Sequence, residues 1–242
     1  MKRVRRSSWE AAVKPQLQRI GTSQSPLVIV DNFTGDAEAI ARIADSLAPF
    51  PPIKGNYYPG VRRMIGEADQ QAFSYVMNAC ERAGPFIGGG FGVAGFDLHE
   101  ASFSVVTMRP DQLQEVQRRP HFDSSDQNLL ALLHYLRVPP ESGTAFYRHR
   151  STGIERITNG NLNRFLEASE RELEIHPPGP GYMAGSDDFF EQIAHIEAVP
   201  DRLIMYHGSL LHSGVIPAGM NFSPDPQQGR LTANLFVIGR SS

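Results

Sequence analysis

The chain has 242 residues, is 40% hydrophobic and 9% aromatic, and carries a formal net charge of −3. That is enough apolar material for one large domain with its own core, and it excludes a disordered chain and a broadly basic nucleic-acid surface. Cys80 is the single cysteine, which excludes an intramolecular disulfide and a thiolate-rich zinc site and fits a reducing compartment.

Met1-Lys2-Arg3-Val4-Arg5-Arg6 is basic, but Ser7, Ser8 and Glu10 follow it where a signal peptide needs an apolar run. Residues 1–25 therefore read as a solvated tail, with Trp9 as a residue that docks it, and residues 26–242 as one domain. No stretch approaches the roughly 20 apolar residues of a membrane span. A cytoplasmic protein is expected, with neither membrane nor nucleic acid as partner.

Residues 27–30 form a short β-branched run, closed by Asp31-Asn32-Phe33-Thr34-Gly35. Ala37, Ile40, Ala41, Ile43, Ala44 and Leu47 then recur at helical spacing. A loop rich in proline and glycine follows, carrying Tyr57, Tyr58, Arg62 and Arg63, and it reads either as an ordinary surface loop or as one that closes over a site. A second helix is predicted over 68–82, ended by the glycine cluster of 84–95. Residues 26–95 thus read as an α-rich flank. Beyond them β-formers dominate in short runs at 101–108, 129–138, 144–150, 189–198, 203–207 and 231–238, with one helix over 162–173. Strands and helices do not alternate regularly, which argues against a doubly wound sheet. The predicted fold is mainly β with flanking helices: a double-stranded β-helix, or jelly roll.

His121-Phe122-Asp123 is the chemical signal. Redox-active Fe(II) needs imidazole and carboxylate ligands on one face with positions left open. Residues two apart in an extended segment share a face, so His121 and Asp123 can reach one metal. The third ligand must come from elsewhere, and His212, following the predicted strand 203–207, is the candidate. His195-Ile196-Glu197 has the same form, with His207 and His212 close behind, but would draw all its ligands from one short segment. Downstream, Arg230 offers a planar fork for the distal carboxylate of 2-oxoglutarate. Thr232 shares its face and can donate a hydroxyl hydrogen bond.

In this order the motifs resemble the Fe(II)/2-oxoglutarate-dependent dioxygenase superfamily, and within it the prolyl-4-hydroxylase-like branch. The likeness is carried by Leu27-Val28-Ile29-Val30-Asp31-Asn32-Phe33, Pro120-His121-Phe122-Asp123, Leu133-His134-Tyr135-Leu136 with Ser142-Gly143-Thr144-Ala145-Phe146, and Leu211-His212-Ser213-Gly214 through Gly229-Arg230. The resemblance implies that His121, Asp123 and His212 bind iron, that Arg230 anchors 2-oxoglutarate, and that Tyr135 and Thr232 supply supporting hydroxyls. It implies hydroxylation of an amino acid, peptide or protein side chain, with release of succinate and carbon dioxide. Glu141-Ser142-Gly143-Thr144 departs from the paired glycines and acid of that branch. Asp123 stands where related halogenases carry a small residue.

Asp126 or Ser124 is a candidate to orient the His121 ring. Arg148, Tyr147 and Arg62 are candidate substrate contacts, Arg148 for a carboxylate or phosphate. Two other functions remain open: a non-catalytic jelly-roll module that binds a ligand, and a cupin-type metal enzyme that does not use 2-oxoglutarate.

Overall fold

The computed structural model describes residue 13, residues 15–52 and residues 58–240; Trp9 and Tyr57 lie outside them. In chain order the elements are β1 (Gln16–Ile20), β2 (Ser25–Val30), α1 (Ala37–Ser46), β3 (Gly60–Met64), α2 (Gln70–Phe91), β4 (Gly95–Val106), β5 (Leu129–Arg137), β6 (Gly143–His149), α3 (Leu162–Ile175), β7 (Phe190–Glu197), β8 (Leu203–His207), β9 (His212–Val215) and β10 (Arg230–Arg240). The strands form a seven-stranded sheet, β1-β2-β8-β5-β10-β4-β3, and a three-stranded sheet, β7-β6-β9. Every pairing between strands is antiparallel. This is the predicted mainly-β jelly roll with helices at its side. No described helix is long and apolar enough to cross a membrane.

Strand alternation divides the side chains between two faces of the large sheet. Leu231, Ala233, Leu235 and Val237 of β10 join Ala101, Phe103 and Val105 of β4 in a core covered by α1 and α2. The opposite face meets the small sheet. There Leu27, Ile29, Ile204 and Tyr206 pack on Phe146 and Ile196, while Arg230, Thr232 and Asn234 occupy the alternate positions of β10. A third cluster, including Tyr147, Phe165 and Phe190, lies beneath α3.

Three expectations change. Residues 16–20, assigned to the tail, form β1 and pair with β2. Arg62 and Arg63, assigned to a closing loop, sit in β3, where Arg62 pairs with Ser104 of β4. The second helix runs on through Pro85 to Phe91. One of its glycines serves close packing: a Cβ on Gly90 would lie 2.6 Å from Val28 Cγ2. The helix ends instead at Gly92, whose φ of 69° is the left-handed cap conformation.

A buried polar chain ties α2 to the sheet. The Tyr75 hydroxyl lies 2.9 Å from His134 Nδ1, and His134 Nε2 lies 3.0 Å from Asp201 Oδ1. Tyr75 donating and Nε2–H donating satisfies both bonds with a neutral imidazole. Asp201 also accepts from the Thr34 amide and hydroxyl and from the Gly35 amide. Burial holds His134 below its ordinary value of 6.5, against the pull of Asp201. Burial pushes Asp201 up, but the hydrogen bonds from His134 and Thr34 outweigh it and leave the carboxyl below its ordinary range.

Both shifts make the folded chain bind fewer protons than the unfolded chain in acid. The stability they confer is whole above pH 6.5, the unfolded value for His134, and drains as pH falls below it. The metal-free protein should therefore lose thermal stability progressively below that pH, with a shallower slope in His134→Asn. Asp201→Asn tolerates the positive φ of 64° at this residue and should cost about 2 kcal/mol in urea denaturation at neutral pH.

Candidate metal centre

Pro120 to Asp123 runs as an extended segment against the end of the small sheet. The His121 amide donates to the His212 carbonyl at 2.9 Å, and the His212 amide donates back at 2.8 Å. Asp123 continues the contact by donating its amide to the Gly208 carbonyl at 2.7 Å. Alternation sends Phe122 the other way, against Phe165 of α3. His121 and Asp123 are thus left on one face with His212.

The potential ligand atoms of these three residues all lie within 4.8 Å of one another. The imidazole centroids are 4.3 Å apart, and His212 Nε2 is 3.7 Å from Asp123 Oδ2. His212 Nδ1 lies 2.8 Å from the Leu210 carbonyl; donating there fixes the tautomer that leaves Nε2 free to ligate. Gly208 leaves room for the site: a Cβ there would sit 3.3 Å from the Asp123 carboxylate and 2.5 Å from Leu129 Cδ2, so both side chains would have to shift.

Burial holds His121 well below the ordinary histidine value, and the charges of His212 and Arg62 act the same way. The ring is therefore neutral, the form that binds a metal. Burial also raises the Asp123 carboxyl in the metal-free protein, against the pull of His212 and Arg62; a cation held there would favour the carboxylate. The donor set fits a divalent metal, and two imidazoles with one carboxylate on one face fit Fe(II) in particular. Among the described residues, no other histidine, cysteine and carboxylate groups converge in this way. His195 and Glu197 are exposed.

Arg230 enters the same intersheet space from β10. It is only 5% exposed, yet no carboxylate partners it among the described residues. Its Nε is buried without an acceptor, and one terminal nitrogen makes only a 3.5 Å contact with the Gly143 carbonyl. Its guanidinium lies 5.7 Å from the Tyr135 ring, and the Tyr135 hydroxyl is 2.7 Å from Thr144 Oγ1. Thr232, opposite Tyr135 across the strands, is buried and takes a 3.4 Å contact from Asn234. Tyr206 links the two halves: its ring packs edge-on against His212 at 5.0 Å, and its buried hydroxyl feels the charges of both Asp123 and Arg230. A buried, unpaired guanidinium fits a carboxylate ligand such as that of 2-oxoglutarate.

Other sequence candidates have different partners. Arg148 bonds Glu155 at 2.8 Å and Glu191 at 2.9 Å. Glu155 in turn holds the amides of Thr22 and Ser23, so this cluster ties β6 to the β1–β2 turn. Tyr147 points away from the metal centre into the cluster beneath α3. The bulge between Phe146 and Tyr147 breaks simple alternation along β6. Ser124 and Asp126 shape their own loop, accepting from the amides of Asp126 and Asn128. The hollow of about 570 Å³ beside them is lined by such self-satisfied polar groups. Arg62 sits beside the intersheet face that also carries Arg230, opposite Ser104 in the strand register and bonded to its hydroxyl at 3.1 Å.

The sequence reading missed Glu100, Ser104, Asn234 and Tyr206. Asn234 and Ser104 bond each other at 2.9 Å on the inner face. Polar residues at every second position, Arg230-Thr232-Asn234 and Ser102-Ser104, carry the signal that marks this face.

Two known structures share the fold at TM-scores above 0.5, SnoN and HygX. SnoN, a non-heme alpha-ketoglutarate-dependent epimerase from nogalamycin biosynthesis, superposes with a TM-score of 0.53 at 11% identity, over 90% of this chain and 79% of that one. HygX from Streptomyces hygroscopicus, solved with nickel, 2-oxoglutarate and hygromycin B, also gives 0.53 at 9% identity, over 90% and 84%. A viral collagen prolyl hydroxylase from Paramecium Bursaria Chlorella virus-1 gives 0.48 at 11% identity, over 88% and 96%. No curated protein matches in sequence. A family profile described as a family of unknown function (DUF6445) matches residues 11–237.

Two variants separate structural from ligand-binding charges. Arg230→Met should raise the stability of the metal-free protein by about 1 kcal/mol in urea denaturation, because it removes a buried charge that has no anionic partner. Arg148→Met should lower the denaturation midpoint, because it strips a cation from the buried Glu155 carboxylate.

Proposed function

Because the chain belongs to the family of unknown function DUF6445, a membership that brings no activity with it, we propose from the site itself that it is an Fe(II)- and 2-oxoglutarate-dependent oxygenase. It hydroxylates an amino acid, peptide or protein side chain. The observation that carries this reading is the unpaired, buried Arg230 guanidinium in the same intersheet space as His121, Asp123 and His212. SnoN and HygX, which have this fold, are described with alpha-ketoglutarate dependence and with bound 2-oxoglutarate respectively.

His121, Asp123 and His212 would hold Fe(II), and Arg230 the distal carboxylate of 2-oxoglutarate. Bound there, Fe(II) and 2-oxoglutarate would together with dioxygen supply the oxidising power to hydroxylate a C–H bond, 2-oxoglutarate ending as succinate and carbon dioxide. The chain's own work is positioning. The Leu210 carbonyl fixes the His212 ring through Nδ1. The Tyr135 ring packs near the Arg230 guanidinium, and Tyr135 is itself held through Thr144. Tyr206 and Phe146 form an apolar wall beside His212 and restrict water there.

The test is succinate formation by Fe(II)-loaded protein supplied with 2-oxoglutarate and air, alongside anaerobic Fe(II) titration. Turnover should require both Fe(II) and 2-oxoglutarate. It should fall more than about 100-fold in His121→Ala and in Arg230→Met. Turnover unchanged in Arg230→Met would indicate a metal enzyme of another kind. Absence of Fe(II) binding would leave only a ligand-binding module.

A further inference from the structure

Two consecutive arginines on β3 are used differently. Arg63 closes on Asp69 at 2.6 Å and donates to the Met64 carbonyl. Arg62, on the face toward the small sheet, donates Nε to Ser104 Oγ at 3.1 Å and lays its guanidinium over the Tyr58 ring at 4.9 Å. It then stops 3.7 Å from Glu100. That is well beyond the roughly 2.7–2.9 Å of a charge-assisted hydrogen bond. The Glu100 carboxylate has no hydrogen bond among the described residues. The two side chains remain 23% and 36% exposed, so solvent or a ligand can reach them.

Both charges stand on the polar inner face that also carries Arg230: Arg62 and Thr232 flank Ser104 in the strand register, and the Ser104 hydroxyl takes hydrogen bonds from Arg62 and from Asn234. The neighbouring Arg63–Asp69 pair closes to 2.6 Å, and this one does not. This loosely held pair instead offers the edge of a guanidinium and a carboxylate side by side, both partly open to solvent. A purely anionic ligand would meet Glu100 as a like charge, and a purely cationic one would meet Arg62. The interior of a peptide carries neither charge. A molecule bearing a carboxylate and an ammonium on one carbon satisfies both groups together.

We propose that Arg62 and Glu100 form the substrate subsite, binding the α-carboxylate and α-ammonium of a free amino acid. This narrows the oxygenase reading above and rests on it. Ser104 and Tyr58 hold the Arg62 side chain in place, and the amino acid's own side chain extends toward the metal centre.

The experiment titrates the protein calorimetrically with each of the twenty L-amino acids, with and without Fe(II) and 2-oxoglutarate under anaerobic conditions. The tightest binder is then compared with its N-acetyl and carboxamide derivatives. In the unmodified protein each derivative should bind at least about tenfold more weakly. Glu100→Gln should abolish the penalty for N-acetylation and keep that for the amide; Arg62→Met should do the reverse. The proposal is overturned if no amino acid binds, if blocked derivatives or a blocked peptide bind as tightly as the free form, or if each variant loses both discriminations. The derivative comparison needs no variant, so it decides the matter even if a substitution unfolds the chain. Substrate-free succinate formation tests the oxygenase reading separately: if it fails while the charge discrimination holds, the subsite stands and the oxygenase reading falls.

Discussion

The reciprocal backbone pair between His121 and His212 is the contact on which the site depends. Two amide-to-carbonyl hydrogen bonds, at 2.9 and 2.8 Å, fasten the segment before β5 to the start of β9. They bring two imidazoles to 4.3 Å before any metal arrives. The hydrogen bond from Asp123 to Gly208 extends the clamp by two residues and fixes the carboxylate on the same side. Since backbone groups set this arrangement, the side chains arrive preorganised instead of being gathered by the ion.

That clamp opens onto a space with two unlike ends. Where Leu27, Ile29, Ile204, Phe146 and Ile196 meet, the two sheets form an ordinary apolar core. Toward β3, β4 and the start of β10, the inner face carries Arg62, Ser104, Asn234, Thr232 and Arg230. The Tyr58 hydroxyl, Ser102 Oγ and Arg230 Nε are buried there without partners of good geometry. Such groups cost stability unless a ligand, an ion or ordered water completes their bonds. The helix-covered core on the other face of the large sheet and the satisfied Tyr75–His134–Asp201 chain offset that cost.

The contrast between Arg230 and Arg148 shows how far local pattern reaches. Both are arginines in strands, each at an alternate position beside apolar residues, and either can pair with a carboxylate. Arg148 meets Glu155 and Glu191, while Arg230 meets no acid among the described residues. Glu155 and Glu191 reach Arg148 through the turn after β6 and through β7, relations that no spacing in the strand itself records. The glycines of 84–95 teach the same lesson: a local breaker signal became a close approach between α2 and Val28, because burial of Ala83 and Ile87 rewards continuing the helix.

The sequence by itself determined the strand-rich body, the helices at its side, and the candidate set His121, Asp123, His212 and Arg230, because alternation and side-chain chemistry are local properties. Tertiary structure alone decided that β1 and β3 are strands, since edge strands of mixed polarity exist only through their pairing with β2 and β4. It also decided which charges are satisfied and which stand open. His121-Phe122-Asp123 could be read two residues at a time. The meeting of Arg62 with Glu100 and Ser104 required β3 and β4 to pair in one register.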